Sequence, residues 1–318
     1  MIEPRDDHHH QAGPEPAWSE SWYFNFYDPA SRIGGFTRIG LRPNEQYADG
    51  NLIVFLPSGG AAAVLNREER TTNAPPVKVG SVSYERVSEL SHWRILCGGP
   101  GLAFSRAEDF DIARPREGGM PQATGRVLDV GVDLDFRATM PPFGTSGRTR
   151  RSAGAEAAAA AVAAGHFEQA GAVTGHLRVG DLRVSVDGVG VRDKSWGPRD
   201  WSAPWAWRWF SMPFGPDLAF GVHTVVLAGR EVQAGWVWRD GRTIKVEGFS
   251  LDTSYDGRFH RSLVIEAEDA EARRYRIEGA VRSIVPLRYG STRINEGLTE
   301  FSLAGRTTTG IAEYLDNR

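Results

Sequence analysis

Extended, period-two sequence dominates this chain and confines it to an all-β fold. The segments Trp22-Tyr23-Phe24-Asn25-Phe26-Tyr27, Leu52-Ile53-Val54-Phe55-Leu56, 127–136, 175–189, 218–227 and 262–268 are short, rich in β-branched and aromatic residues, and bounded by Gly, Pro, Asn or Asp. Side chains that alternate between two faces over such lengths build sandwiches or barrels. Helix-forming sequence is confined to 154–165, where Glu156 opens an alanine-rich run of high helix propensity. One short helix is expected there, a connector or plug, behind a loop over 144–151. An internal echo divides the chain. The aromatic stretch 22–27 passes through Asp28-Pro29 and Gly34-Gly35 into 36–41, and Trp205-Ala206-Trp207-Arg208-Trp209-Phe210 passes through Pro213-Phe214-Gly215-Pro216 into 218–227. Each half thus starts with an aromatic strand, a Pro/Gly turn and a return strand, as two duplicated β units would.

Charge and cysteine content exclude whole classes of partner. The balance of 37 basic and 40 acidic residues leaves a net charge of −3, with no electrostatic case for nucleic acid or an anionic membrane. No stretch approaches the roughly 18 apolar residues of a membrane span, and the N-terminus lacks the basic-then-apolar pattern of a leader. The single cysteine, Cys97, rules out an internal disulfide and a cysteine-rich metal site and fits a reducing compartment. The chain therefore reads as soluble, unprocessed and cytoplasmic. Three consecutive imidazoles, His8, His9 and His10, invite a metal reading, but they sit among Asp6, Asp7, Gln11, Gly13 and Pro14, so 1–14 is expected to be a disordered lead-in. No other His/Asp/Glu group has a recognisable ligand spacing, and neither a metal nor a cofactor is expected.

The densest chemistry is the run Arg192-Asp193-Lys194-Ser195-Trp196-Gly197-Pro198-Arg199-Asp200-Trp201, which mixes acids, cations and indoles around a Gly-Pro break. Such charges are costly in a core unless paired, and loop positions on a rigid scaffold commonly carry function. Strand parity sorts them. Asp193 shares a face with Val189 and Val191, whereas Lys194 shares the other with Arg192 and Trp196. If the valine face is interior, Asp193 points inward, where burial raises its pKa and a nearby cation lowers it. Two readings stay open: a carboxyl acting as general acid in an aromatic pocket, or an ion-pair knot of Asp193 and Asp200 with Arg192, Lys194 and Arg199. By the same parity Trp205, Trp207 and Trp209 form an indole wall and Trp236 and Trp238 a second row, with His223 on a neighbouring strand. Together they suit an apolar pocket carrying a few polar groups.

Glu20-Ser21-Trp22-Tyr23, Pro43-Asn44-Glu45, His166-Phe167-Glu168-Gln169, the stretch Asp187-Gly188-Val189-Gly190-Val191 leading into 192–201, and Gly310-Ile311-Ala312-Glu313-Tyr314 follow one another in the order found in a largely uncharacterised bacterial family. From about Trp18 onward the chain resembles that family, which is related to AttH-like and carotenoid 1,2-hydratase (hydroxyneurosporene synthase) proteins. The resemblance implies two consecutive lipocalin-like antiparallel β-barrels packed together, over 15–188 and 189–318, with the short helix near the end of the first and a ligand cavity at or near their interface. It also implies cofactor-independent chemistry on apolar polyenes, terpenoids or polyketides, such as hydration or dehydration, isomerisation or cyclisation. One position departs. Relatives carry His directly after the Asp, where this chain has Lys194, so a lysine of lowered pKa moves protons there or the task differs.

The catalytic candidates are then Asp193 as proton donor or relay, tuned by Lys194, Arg199 or Asp200, together with His223. Tyr23, His166, Trp196, Arg199, Trp201, Trp205, Trp207, Trp209, Trp236, Trp238 and Glu313 are the candidates for holding substrate. Glu168 and His92 are titratable residues of second rank. A small hydrophobic molecule is the expected partner, bound by a monomer or a homodimer, without nucleic acid or membrane insertion. The rival reading is a non-catalytic carrier or sensor of a hydrophobic metabolite. Only the enzyme requires a titratable group of perturbed pKa inside the cavity.

Overall fold

In the computed structural model, which describes residues 1–110, 125–147, 162–289 and 291–317, the chain runs almost wholly as antiparallel strands. The first eleven are β1 (Trp18–Asp28), β2 (Ile33–Arg42), β3 (Tyr47–Phe55), β4 (Ala61–Glu69), β5 (Val77–Val79), β6 (Val82–Ser88), β7 (His92–Phe104), β8 (Arg126–Ala138), β9 (Phe143–Thr145), β10 (Gly165–Val179) and β11 (Leu182–Pro198). Eight of them close into a ring in the order β1-β2-β3-β4-β7-β8-β10-β11, with β11 paired back onto β1. The seam between β4 and β7 is short, running from Ala61 opposite Phe104 to Ala63 opposite Leu102. Small residues allow it: a Cβ on Gly101 would stand 2.6 Å from the Ala63 carbonyl oxygen. The β5–β6 hairpin extends the sheet beyond β7, and β9 lies along β10.

The remaining strands are β12 (Pro204–Pro213), β13 (Leu218–Leu227), β14 (Arg230–Arg239), β15 (Arg242–Asp256), β16 (Phe259–Asp269), β17 (Arg274–Tyr289), β18 (Thr292–Leu303) and β19 (Arg306–Asp316). They form a second, up-and-down barrel closed by β19 on β12. The fold is all-β, two antiparallel barrels packed together, as the alternation and the internal echo lead one to expect.

Large side chains fill both interiors. Trp22, Phe24, Trp93 and Phe136 pack inside the first barrel, and Phe210, Phe220, Ile265 and Phe301 inside the second. Each such fully buried side chain contributes about 1.5–3 kcal/mol. A third cluster lies between the barrels, where Tyr23, Phe36, Phe55 and Val191 meet Trp209, Trp236, Leu287 and Leu315. Strands of the facing walls are therefore buried on both sides. Leu52 and Val54 point into the first barrel while Ile53 and Phe55 point at the second, which is why 52–56 reads as a continuous apolar run.

Two expected boundaries are corrected. Strand β11 pairs with β1 through Pro198 and with β10 through Trp196, so 192–198 ends the first barrel and the chain crosses to the second at 199–203, not at 189. The lead-in is ordered: Pro4–Asp7 forms a 3₁₀ turn, with Asp6 and Asp7 fully buried. The cause is charge inside the first barrel, where Arg192 and Lys194 are 1% and 0% exposed. Asp7 Oδ1 meets Arg192 Nη1 at 2.8 Å, and Glu20 pairs with Lys194. His10 stacks on Trp196 with centroids 3.9 Å apart and bonds Glu20 Oε1 at 2.7 Å. Buried cations need carboxylates, and the acidic N-terminus docks to supply one.

The helix expected over 154–165 falls, apart from 162–165, outside the described residues, and Gly165 opens β10. Part of the loop expected over 144–151 is instead β9. Among the described residues no helix is long and apolar enough to cross a membrane.

Candidate active site

Strand register assembles the site. On the first barrel Asn51, Arg38, Tyr23, Asp193 and Glu168 stand opposite one another across β3, β2, β1, β11 and β10. On the second, Glu296, Glu313, Trp209 and His223 do the same across β18, β19, β12 and β13. Two residues along, Ser21, Ser195 and His166 make a further row on the first barrel. Alternate residues share a face, so these rows stand on the outer walls that the barrels turn toward each other. Between them lies a cavity of about 350 Å³, whose apolar surface comes from Phe36, Trp201, Trp207, Trp209, Leu287 and Ile294.

One titratable centre is built on β10, β11 and β13. His166 Nε2 is hydrogen-bonded to Asp193 Oδ2 and stands 3.5 Å from Glu168 Oε1. Glu168 is 2% exposed, and its two oxygens accept hydrogen bonds from Trp209 Nε1 and Trp236 Nε1, each 2.7 Å long. The His223 ring meets His166 edge-on with centroids 5.8 Å apart. Burial disfavours a charged His166, but the Asp193 carboxylate outweighs it and lifts the imidazole above its ordinary pKa. Burial likewise opposes charge on Asp193, and His166 outweighs it, holding the carboxyl below the usual range. Burial, reinforced by His166, pushes His223 down to about 3, so that ring is neutral at pH 7. Glu168 is raised by burial and further by Asp193.

A second centre is the carboxyl pair on β18 and β19. Ile294 stands opposite Leu315, Glu296 opposite Glu313 and Leu298 opposite Ile311, so each acid sits between two apolar neighbours on its own face. Burial, then the charge of Glu313, pushes Glu296 well above the carboxylate range, and burial raises Glu313 as well. Like charges on facing residues of a buried site disfavour one another, so each carboxyl favours a protonated neighbour.

The cavity gathers many of the sequence candidates: Asp193, His166, His223, Glu313, Tyr23, Arg199, Trp201, Trp207 and Trp209 all line it. Others are placed elsewhere. Lys194 lies inside the first barrel, its Nζ 4.3 Å from the Trp22 ring centre, and Trp196 stacks on His10. Asp200 is exposed and bonds Ser202. A register shift between Pro204 and Ala206 takes Trp205 out of the indole row. Trp236 and Trp238 stay in the seam but behind the wall, bonded to Glu168 and to the Pro216 carbonyl. His92 pairs with Asp135. Asp193 does point into the pocket, where it is hydrogen-bonded to His166 and that ring holds its carboxyl below the usual range. Sequence reasoning passed over Glu296, Arg38, Ser21, Tyr289 and Asn51. For Glu296 a signal exists: Ile294-x-Glu296-x-Leu298 repeats the pattern Ile311-x-Glu313-x-Leu315.

The donor atoms of His166, Glu168 and Asp193 fall within 4.8 Å of one another, a separation a cation could bridge and one that sequence spacing does not reveal. The indoles on Glu168 and the bond from His166 to Asp193 already account for these groups as a hydrogen-bonded network.

Two packed antiparallel barrels are the fold this chain shares with AttH-like double-barrel proteins. An AttH-type protein (NE1406) from Nitrosomonas europaea is 13% identical and superposes with a TM-score of 0.63 over 96% of this chain and 94% of that one. Kievitone hydratase from Nectria haematococca is 11% identical, with a TM-score of 0.60 over 99% and 92%. CghA, at 11% identity, gives 0.54 over 94% and 88%. Residues 3–318 match the family described as a domain of unknown function (DUF7064), and the chain belongs to it. No curated protein matches the sequence.

Proposed function

We propose that this protein is a cofactor-independent enzyme that binds an apolar small molecule between its barrels and transforms it by acid/base chemistry: hydration or dehydration, isomerisation or cyclisation. The observation that carries this reading is two titratable centres of opposite poise on one cavity, the Glu296–Glu313 pair, raised by burial, and the hydrogen-bonded His166–Asp193 pair with His223 lowered beside it. Environments that drive ionisable groups apart mark the acid and the base. The carboxyl pair gives a proton to an alkene or enol carbon, and the positive charge that develops lies against Trp207 and Trp209. Each indole face contributes about 0.5–2 kcal/mol to holding it. Loss of a neighbouring proton to His223 completes an isomerisation or cyclisation; attack by water, with His223 taking the water proton, completes a hydration. How far the cavity excludes water decides between them. The fold shared with a protein named kievitone hydratase supports this class of reaction.

Turnover of terpenoid, polyketide and phenolic probes, followed by liquid chromatography and mass spectrometry, tests the proposal. Glu313→Gln removes one half of the acid and should lower kcat by about 10²–10⁴-fold. Undiminished turnover in Glu313→Gln and Glu296→Gln contradicts it, and tight binding across the library without any turnover makes the protein a carrier.

A further inference from the structure

Four buried polar atoms on the cavity wall have no hydrogen-bond partner among the described residues: the Tyr23 hydroxyl, Arg38 Nη2, Trp207 Nε1 and Glu296 Oε2. Two of these, Arg38 Nη2 and Trp207 Nε1, can only donate. Leaving a buried donor unmet costs about 1–3 kcal/mol, so two on one wall call for a ligand that meets them. Arg199 adds a third. It is 9% exposed, its side chain donates to Ser195 Oγ at 2.7 Å, and no carboxylate among the described residues lies within ion-pair distance of it. Arg38, also 9% exposed, reaches Asp49 at 3.0 Å through Nη1 alone.

The two guanidiniums converge on one indole, with Cζ atoms 4.9 Å (Arg199) and 5.9 Å (Arg38) from the Trp201 ring centre; Arg199 is also 5.6 Å from that of Trp207. Among the described residues Asp49 is the one carboxylate bonded to either. Asp193 is hydrogen-bonded to His166 instead, so the acids of the wall act on Arg199 through space and none among the described residues bonds its guanidinium directly. A planar fork of N–H donors matches the two oxygens of a delocalised anion.

We infer that the substrate is an apolar acid whose oxyanion, a carboxylate or an enolate, is anchored by Arg38, Arg199 and the Trp207 indole, leaving its apolar body to the aromatic walls of the seam. The inference rests on the reading of this cavity as the substrate site. It places the anchored oxygens and the acid pair on one cavity, so a double bond conjugated to the anion is what the carboxyl pair protonates.

Titration of tryptophan fluorescence in the full chain reads the preference directly. The probes are geranic acid, its methyl ester and geraniol, which share one skeleton, and 2-decanoylcyclohexane-1,3-dione, which is an enolate at neutral pH. At least one of the two anions should bind ten-fold or more tighter than the ester and the alcohol, and the tighter of the two separates carboxylate from enolate. Arg199→Gln should erase the preference, whereas Arg94→Gln, at an exposed pair with Asp133, should keep it. Should Arg199→Gln fold poorly by circular dichroism, Arg38→Gln gives the same reading. Equal affinity for anions and ester, no binding of any probe, or a preference that survives both cavity substitutions overturns the inference. The readout is binding alone, so it can fail while the effect of Glu313→Gln on turnover stands, and the reverse.

Discussion

Asp7→Asn should cost this protein far more than a change seven residues from a chain terminus ordinarily does. Arg192 is 1% exposed and Asp7 0%; their contact is 2.8 Å, and among the described residues the guanidinium otherwise bonds only Gln169 Oε1. The amide keeps the shape of the side chain and removes the charge, which leaves a cation in the interior of the first barrel. Removing one partner of such a pair costs about 3–5 kcal/mol. With an m-value of about 3 kcal/mol/M, the urea midpoint falls by about 1 M or more. Urea unfolding followed by tryptophan emission measures it. The double variant Asp7→Asn/Arg192→Met should recover much of the loss, because the stranded charge is gone. If Asp7→Asn shifts stability by less than about 0.5 kcal/mol, the range of an ordinary surface substitution, the N-terminal segment does not dock as described and the account of Arg192 is wrong.

Lys194→Met strands Glu20 with only His10 and Asn73, so stability should fall by about 3 kcal/mol or more while ligand affinity per folded molecule stays unchanged, as equilibrium titration would show. Asp193→Asn removes the carboxylate that outweighs burial at His166, and the ring titration followed by NMR should drop below the ordinary histidine value. In the wild type the raised pKa of His166 contributes stability below about pH 6.5 that is lost as pH rises through the folded value. Asp193, with a lowered pKa, contributes above about pH 4 and loses that contribution only as pH falls through its folded value. Urea unfolding at about pH 6 and 8 should therefore show stability changing with pH less favourably in the wild type than in Asp193→Asn, since the other titrating groups are common to both. In Gly221→Ala the new Cβ would stand 2.5 Å from both Glu168 Oε2 and Trp236 Nε1, so their hydrogen bond must open. The expected loss is about 1–3 kcal/mol, with a changed tryptophan emission.

Alternation made the β character legible, and parity alone turned Asp193, Trp207 and Trp209 toward one cavity. It failed wherever the backbone broke period or the relevant partner lay far along the chain. Trp205 sits at a register shift, and Asp200 lies past Pro198, where strand pairing has ended. That Lys194 turns away from Asp193 was readable, but that its face is the barrel interior, with Glu20 from 174 residues away to pair it, was not. For the same reason 1–14 looked like a polar tail: Asp7 meets its cation 185 residues later. Glu296 became visible as half of an acid pair only once β18 was registered against β19. The chain also switches barrels after β11, so the densest charged run belongs largely to the first barrel although the resemblance put it at the start of the second.

At neutral pH the seam cavity should hold a carboxyl pair that keeps a proton. Titration of glutamate side-chain carbons by ¹³C NMR, with Glu296→Gln and Glu313→Gln for assignment, reads this out. A carboxyl resonance that keeps its protonated shift at pH 7 and is lost in either variant is the expected result. Every glutamate titrating in the ordinary range near about 4.3 would contradict it.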